Sequence, residues 1–385
     1  MRLADHSVSL KALPVNALIG LEQTTRFTGG HDLQGGKMMN ESRKLRKKEH
    51  IKYSLLLEKK LKRNVFDDIT ILHNCLSEVS LNEIDISTNL QGINLTSPII
   101  INAMTGGMQE GEIINRELSI IAKKLNLAMA VGSQKIALKN QDSIRSFYIV
   151  REINPDGIIF ANLGADATIE EAIKAVEMIN ADALQLHLNV PQEVVMKEGR
   201  RNFKGTVNNI AQIVQNVNVP VIVKEVGFGI AREEAATLAE NGVKIIDVGG
   251  TGGTNFITIE SLRRRSRVFK HFEEWGIPTP ISLIEVIKTV GKTTDVIASG
   301  GLKNGFDAAK SMALGAKAVA YAGYFLHILL NKGPSSLEKH ILQIEKEIKY
   351  VMAMTGAKDL TELKKRHVII KGKTYHWLKC RGISI

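Results

Sequence analysis

The sequence predicts an α/β fold: a (β/α)8 barrel with an N-terminal basic helical segment, an insertion between strands six and seven, and a C-terminal helical tail. Three observations lead there. Eight short apolar runs recur from Ser97 onward, helix-length amphipathic stretches separate them, and Gly or Asn punctuates their ends. Near-continuous apolar runs alternating with helices mark parallel strands covered on both faces. Eight such units match one closed barrel, which occupies roughly 250 residues or more as a single domain. The competing architecture is a doubly wound open sheet. The G-x-G-x-x-G turn it would carry after its first strand is absent, as is a Walker pattern.

Along the chain, residues 1–37 end in a Gly-rich stretch, Thr28-Gly29-Gly30-His31-Asp32-Leu33-Gln34-Gly35-Gly36-Lys37, and read as a leader or expression tag. Residues 38–96 form a basic segment that opens as a charged helix. The barrel with its tail takes 97–385, with strands expected at 97–103, 127–131, 157–162, 183–189, 219–226, 244–248, 295–299 and 317–321. Helices are expected between them, among others at 168–179, 232–240 and 305–314. The insertion spans 249–280, and 337–366 supplies the helical tail.

With 44% hydrophobic and 24% charged residues the chain has the composition of a globular protein with a real core, which excludes a disordered one. No stretch reaches the ~18 uninterrupted apolar residues of a membrane span, and no signal peptide is evident, so a cytoplasmic protein is expected. Cys75 and Cys380 stand far apart and offer neither a disulfide framework nor a metal knuckle. The net charge of +11 is concentrated: 41–63 carries a surplus of seven positive charges and 361–381 a surplus of six, more than the whole. The middle of the chain is therefore slightly acidic. Aromatic residues make up only 5%, and no RNA or DNA motif is visible, which argues against nucleic acid. Solvated helix faces or an anionic small-molecule partner remain for the basic segments.

The fourth strand is the most informative. Alternation puts Leu184, Leu186 and Leu188 on one face and Gln185, His187 and Asn189 on the other. A row of polar groups in a covered strand must be wet, liganded or hydrogen-bonded, and this row ends in Gln192-Glu193 at the catalytic rim of the barrel. Lys224, inside Val221-Ile222-Val223-Lys224-Glu225-Val226, is a charge in a central strand and is costly unless paired or functional. Glycines cluster at four strand ends: Gly106-Gly107, Gly249-Gly250 with Gly252-Gly253, Gly300-Gly301, and Gly323. Backbone amides there can approach an anion, and the last two clusters follow strands seven and eight, where barrels bind phosphate.

These residues resemble the type 2 isopentenyl diphosphate isomerases, FMN-dependent (β/α)8 enzymes that interconvert isopentenyl and dimethylallyl diphosphate. The resemblance covers nearly all of 43–366, and His187-Leu188-Asn189-x-x-Gln192-Glu193 is its most specific piece. It implies that Arg46, Lys47 and His50, in Arg46-Lys47-Lys48-Glu49-His50, grip the substrate diphosphate, partly across a subunit boundary. Lys135 and Asn189 belong to the same substrate set. Met104, Thr105, Gly106, Ser133, Asn162, Lys224 and Thr254 match flavin contacts. Gly300 and Gly301, followed by Lys303, and Ala322 with Gly323 match the FMN phosphate cradle. Gln192 matches the glutamine beside the reacting alkene, and Glu193 the Mg²⁺ ligand. A homo-oligomer, tetramer or octamer, is implied as well. Three positions depart from the family pattern: Lys135 and Lys303 stand where arginine is usual, and Asn255 where serine is. Lys135 keeps the cation and loses the bidentate fork.

The implied reaction shifts a double bond by adding a proton at one carbon and removing one from another, so it is redox neutral. An alkene is a poor base, and Gln192 is an amide, so the strong acid needed is not a side chain at that spot. The resemblance assigns the acid/base role to reduced FMN, with NADPH needed only to reduce it. Lys224 then stabilises the reduced flavin, His187, Asn189 and Gln192 orient the substrate and its proton transfers, and Mg²⁺ on Glu193 offsets diphosphate charge. Two alternatives are an FMN-dependent 2-hydroxy-acid oxidase or dehydrogenase and a non-catalytic phosphate-binding barrel. The first needs a His base with arginines at a strand end, where the late strands here end in Gly249-Gly250 and Ser299-Gly300. The second leaves the polar row and Lys224 unexplained.

Overall fold

The computed structural model describes residues 35–58, 64–264 and 269–384, with side chains from Arg43 onward. Residues 1–34 of the expected leader lie outside this range, and 35–37 begin a helix, Gly35–Glu58. All eight expected strands form: β1 (Ile99–Ile101), β2 (Ala128–Ala130), β3 (Ile159–Gly164), β4 (Ala183–Leu188), β5 (Val221–Glu225), β6 (Ile245–Asp247), β7 (Asp295–Ser299) and β8 (Ala318–Tyr321). Each pairs in parallel with its sequence neighbours, and β8 closes on β1 with Val319 opposite Ile99. β3 starts two residues later than its apolar run and continues to Gly164, because its ladder with β4 extends until Gly164 meets His187.

Alternation sorts the strand residues between two apolar layers. Ile100, Phe160, Ile222, Ile245 and Ile297 meet inside the barrel with Ala128, Ala183 and Ala318, the small residues making room for the large. Leu184, Leu186, Val223 and Ile246 join the outer layer under the helices. The hairpin Thr88–Leu90 and Ile93–Leu95 plugs the end of the barrel where the strands begin. Its turn, Gln91-Gly92, has φ of 46° and 91°, the positive values a tight two-residue hairpin needs. Leu90 and Leu95 enter the inner cluster, and the Gln91 amide donates to the Asp295 carboxylate at 3.0 Å.

The surrounding helices carry local stop and start signals. Ile169–Met178 opens with a capping box between Thr168 and Glu171, and Gly305–Ala313 with Asn304 accepting from the Asp307 amide at 2.8 Å. Arg232–Glu240 matches the expected 232–240. The insertion forms the helix Phe256–Arg263 and a short turn, Lys270–Phe272. Asn255, the departure from serine, caps that helix by accepting from the Thr258 amide at 3.0 Å.

The tail is less uniform than expected. Pro334–Thr355 ends where Gly356 adopts φ 71°, and Leu360–Lys364 follows. The chain then forms a strand, Val368–Ile370, antiparallel to Ile69–Ile71, and a last helix, Gly372–Cys380. Three-residue strands carry too little periodicity to read, and each of these two exists through a partner some 300 positions away. At the opposite end, where the barrel strands finish, Gly35–Glu58 packs Ile51 and Leu55 into the apolar core and touches Phe256–Arg263 and the helix after β8, Gly323–Lys332.

Candidate active site

The floor of the barrel mouth is a chain of side-chain hydrogen bonds. His187 Nδ1 lies 3.0 Å from Asn162 Oδ1, and Asn162 Nδ2 donates to Gln185 Oε1 at 3.0 Å. Gln185 Nε2 donates to Asn102 Oδ1 at 3.0 Å, and Asn102 Nδ2 to Asp247 Oδ2 at 2.8 Å. Asp247, 0% exposed, also accepts from Ser299 Oγ and the Gly249 amide. Lys224, 6% exposed, stands 4.0 Å from Asp247 Oδ2 and donates to the Glu225 carbonyl at 2.8 Å. The inward face of β4 is thus hydrogen-bonded, and the buried lysine has a counter-charge. Burial and the nearby Lys224 charge push the His187 imidazole down to about 4, so it is neutral at pH 7.

Above this floor lies a cavity walled by strand ends and the N-terminal helix. It takes in Met104 and Thr105 after β1, Lys224 on β5, Thr254 after β6, Gly300 and Gly301 after β7, and Ala322 and Gly323 after β8. Gly300 has φ 99°, and a Cβ there would meet the Gly250 carbonyl oxygen at 2.0 Å. The loops after β6 and β7 therefore touch backbone to backbone, which only glycine permits. Thr105 Oγ1 is buried without a hydrogen-bond partner among the described residues, an arrangement a polar ligand would complete. Glycine pairs whose backbone can approach a phosphate, a buried lysine and an orphaned hydroxyl in one cavity fit FMN.

Helix Gly35–Glu58 brings its cations to the same mouth. Lys47 and His50 line the cavity. Lys47 Nζ donates to the Gly106 carbonyl at 2.5 Å and to the Ser133 carbonyl at 3.3 Å, placing Gly106 and Ser133 beside it. Burial, with Arg46 and Arg43 adding repulsion, lowers the Lys47 ammonium to about 7. Arg46 is also lowered by burial, against the pull of Glu198 and Glu193, and its guanidinium reaches the Met196 sulfur at 3.5 Å. Half-buried cations that have no tight carboxylate partner among the described residues suit an anionic ligand.

On the rim, Asn189 Nδ2 donates to Glu193 Oε1 at 3.1 Å and stands 3.5 Å from Gln192 Oε1, while Glu193 Oε2 accepts from the Arg200 amide at 2.6 Å. Gln192 is buried at the first turn of Val190–Val195. No cluster of three metal-ligating side chains exists among the described residues. Glu193 keeps a second lone pair on each oxygen, which fits Mg²⁺ held mainly by substrate phosphates. Lys135 is placed differently from Arg46 and Lys47: its ammonium binds Glu171 at 2.6 Å and lies 3.8 Å from Asp166. Lys303 has its amide bonded to Asp307 at 3.2 Å, below the glycine pair. Arg46, Gly106, Ser133, Lys135, Asn162, His187, Asn189, Gln192, Glu193 and Lys303 are not among the residues that line the cavity.

Sequence reasoning missed Asn102, Asp247, Glu225 and Glu260. Asp247 was findable by the argument applied to Lys224, since it is the charge in Ile245-Ile246-Asp247-Val248. Glu225 lines the cavity, and burial raises its carboxyl to about 7 although Oε2 accepts from the amides of Val226, Gly227 and Phe228.

Fold and site together define a flavin-binding (β/α)8-barrel enzyme. The family model for FMN-dependent dehydrogenases matches residues 169–370. An isopentenyl-diphosphate delta-isomerase of Bacillus licheniformis is 48% identical over 344 residues, 89% of this chain and 98% of the relative. That of Bacillus pumilus is 46% identical over 340 residues, 88% and 95%. The chain belongs to the isopentenyl-diphosphate delta-isomerase family. Among solved structures, a protein described as a lactate oxidase of Pediococcus acidilactici covers 92% of this chain and 99% of its own at TM-score 0.64. At 17% identity that likeness carries the fold alone.

Proposed function

We propose that the chain interconverts isopentenyl and dimethylallyl diphosphate with FMN bound in the barrel mouth. The observation that carries this reading is the meeting of two devices at one cavity: the glycine cradle with Lys224, and the cations of the N-terminal helix. The first suits a flavin phosphate and its ring, and the second a diphosphate. Bound and reduced, FMN supplies the acid/base group that the neighbouring amide Gln192 cannot. Arg46, Lys47 and His50 hold the diphosphate, assisted by Mg²⁺ on Glu193. Asn189 and Gln192 set the alkene, and Lys224 holds positive charge beside the flavin. NADPH serves as reductant and is not consumed in turnover, and the working form is a cytoplasmic homo-oligomer. No helix among the described residues is long and apolar enough to cross a membrane.

The test is turnover of isopentenyl diphosphate with FMN, Mg²⁺ and reductant, omitting each in turn. Dimethylallyl diphosphate should form only with FMN and Mg²⁺ present, and photoreduced enzyme should need no NADPH. Stoichiometric NADPH consumption, or oxidation of a 2-hydroxy acid in place of isomerisation, would overturn the reading.

A further inference from the structure

We propose that Asp247 is a positioning residue that fixes, through three side-chain amides, which ring nitrogen of His187 carries the proton. A carboxylate offers acceptors only. Asn102 must therefore turn its NH₂ toward Asp247 Oδ2, at 2.8 Å, which turns its oxygen toward Gln185. Gln185 must then donate to that oxygen, at 3.0 Å, and present its own to Asn162. Asn162 in turn donates at 3.0 Å and offers Oδ1 to His187 Nδ1. Nδ1 is left as the donor, and Nε2 as the bare nitrogen.

Taken singly, the oxygen and nitrogen of an amide are nearly interchangeable. Here each orientation follows from the one before it, and the series starts at a group that cannot donate. Other contacts agree. The Ala103 amide also donates to Asn102 Oδ1, at 2.9 Å, in agreement with the orientation that Asp247 imposes. The Asp247 carboxylate meets donors on every side: Ser299 Oγ, the Gly249 amide, Asn102 Nδ2 and, at 4.0 Å, the Lys224 ammonium. Reversing the chain would set the Asn102 oxygen against this carboxylate in a dry site. Asn162 is held in place separately, its backbone amide donating to Gln134 Oε1 at 2.9 Å. Asn102, Asn162 and Gln185 are all buried, so water does not substitute for a missing link.

The consequence is chemical. His187 is a neutral imidazole whose remaining nitrogen can accept a proton or a hydrogen bond and cannot donate one. Among the described residues no hydrogen bond occupies Nε2. The tautomer follows from the barrel alone, and its bearing on catalysis rests on the isomerase reading.

The test reads the tautomer directly, without turnover, so failure of the isomerase reading leaves it interpretable. Protein carrying ring-¹⁵N histidine and loaded with FMN is observed by NMR, with the His187 signals assigned by their loss in His187→Gln. Wild type should show a protonated Nδ1 and a bare Nε2. Gln185→Met cuts the chain at its middle and leaves Asp247, Lys224 and Asn162 unaltered. Asp247→Asn gives the chain an end that can donate or accept. In both variants the His187 shifts should move toward the average of two tautomers, and the FMN absorbance reports that each has folded. A wild-type His187 protonated on Nε2, or a wild-type-like signal in either folded variant, overturns the proposal.

Discussion

His50 Nε2 lies 2.7 Å from Oε1 of Glu260, a carboxylate 1% exposed, and the other Glu260 oxygen takes Arg263 Nη1 at 2.5 Å. Arg263 also binds Glu49 at 2.9 Å and Glu198 at 2.8 Å. A helix that precedes the barrel in sequence is thereby pinned to the helix Phe256–Arg263 that follows β6. Burial lowers the His50 imidazole, and Glu260 offsets part of that loss. For Glu260 burial acts to raise the carboxyl, and His50 with Arg263 outweighs it and brings the group below its ordinary range.

Glu260→Gln should therefore weaken both the substrate grip and the fold. Loss of charge-assisted hydrogen bonds costs about 2 kcal/mol, and Arg263 keeps two other carboxylates. KM for isopentenyl diphosphate should rise more than kcat falls, with a lower Tm. The stabilising contribution of Glu260 is present above the ordinary carboxylate range and fades as pH falls through its lowered folded value. The Tm difference between wild type and variant should accordingly shrink in acid. Equal Tm values at pH 7 would show that the contact adds no stability.

Lys47 has the opposite linkage. Its folded value of about 7 lies below the ordinary lysine value of 10.5, so between these the unfolded chain binds more protons and stability rises with pH. Lys47→Met should stabilise the free protein, by more at pH 6 than at pH 10, while raising KM for the diphosphate substrate. Thermal melts at the two pH values check the first part. A gain that is larger at pH 10 would contradict the lowered value.

Gly300→Ala tests the cradle. The new Cβ would meet the Gly250 carbonyl oxygen at 2.0 Å, and φ of 99° is strained for any side chain. Backbone on both sides leaves no rotamer to yield, so the loss should exceed about 1 kcal/mol. Reduced FMN content on purification and a lower Tm are expected together. Full flavin occupancy would remove Gly300 from the cradle.

Glu193 and Gln192 are adjacent and are given different roles. Glu193→Gln removes a hard anionic ligand and should raise the Mg²⁺ concentration for half-maximal activity. Gln192→Ala should leave that requirement nearly unchanged and lower kcat by ~10²-fold if the amide takes part in proton transfer. Flavin should remain bound in both. Mg²⁺ titrations that shift equally would show that the two residues do not divide these tasks.

Periodicity, caps and glycine positions are properties of neighbouring residues, so the eight strands, the helix Arg232–Glu240 and the inward row on β4 were legible in the chain itself. Lys224 was legible too, as a charge in a strand buried on both faces. Tertiary structure decided what lies across the barrel. Asn102 and Asp247 are 145 positions apart and meet only because β8 closes on β1 and brings alternate strand ends to one floor. The pairing of Lys135 with Glu171, the capture of Lys47 by Gly106 and Ser133, and the sheet between Ile69–Ile71 and Val368–Ile370 depend likewise on docking. A short-range pattern encodes which face a residue takes. Which partner it finds on that face depends on barrel closure, since hydrogen bonds of about 3 Å between distant positions leave no periodic trace in the sequence.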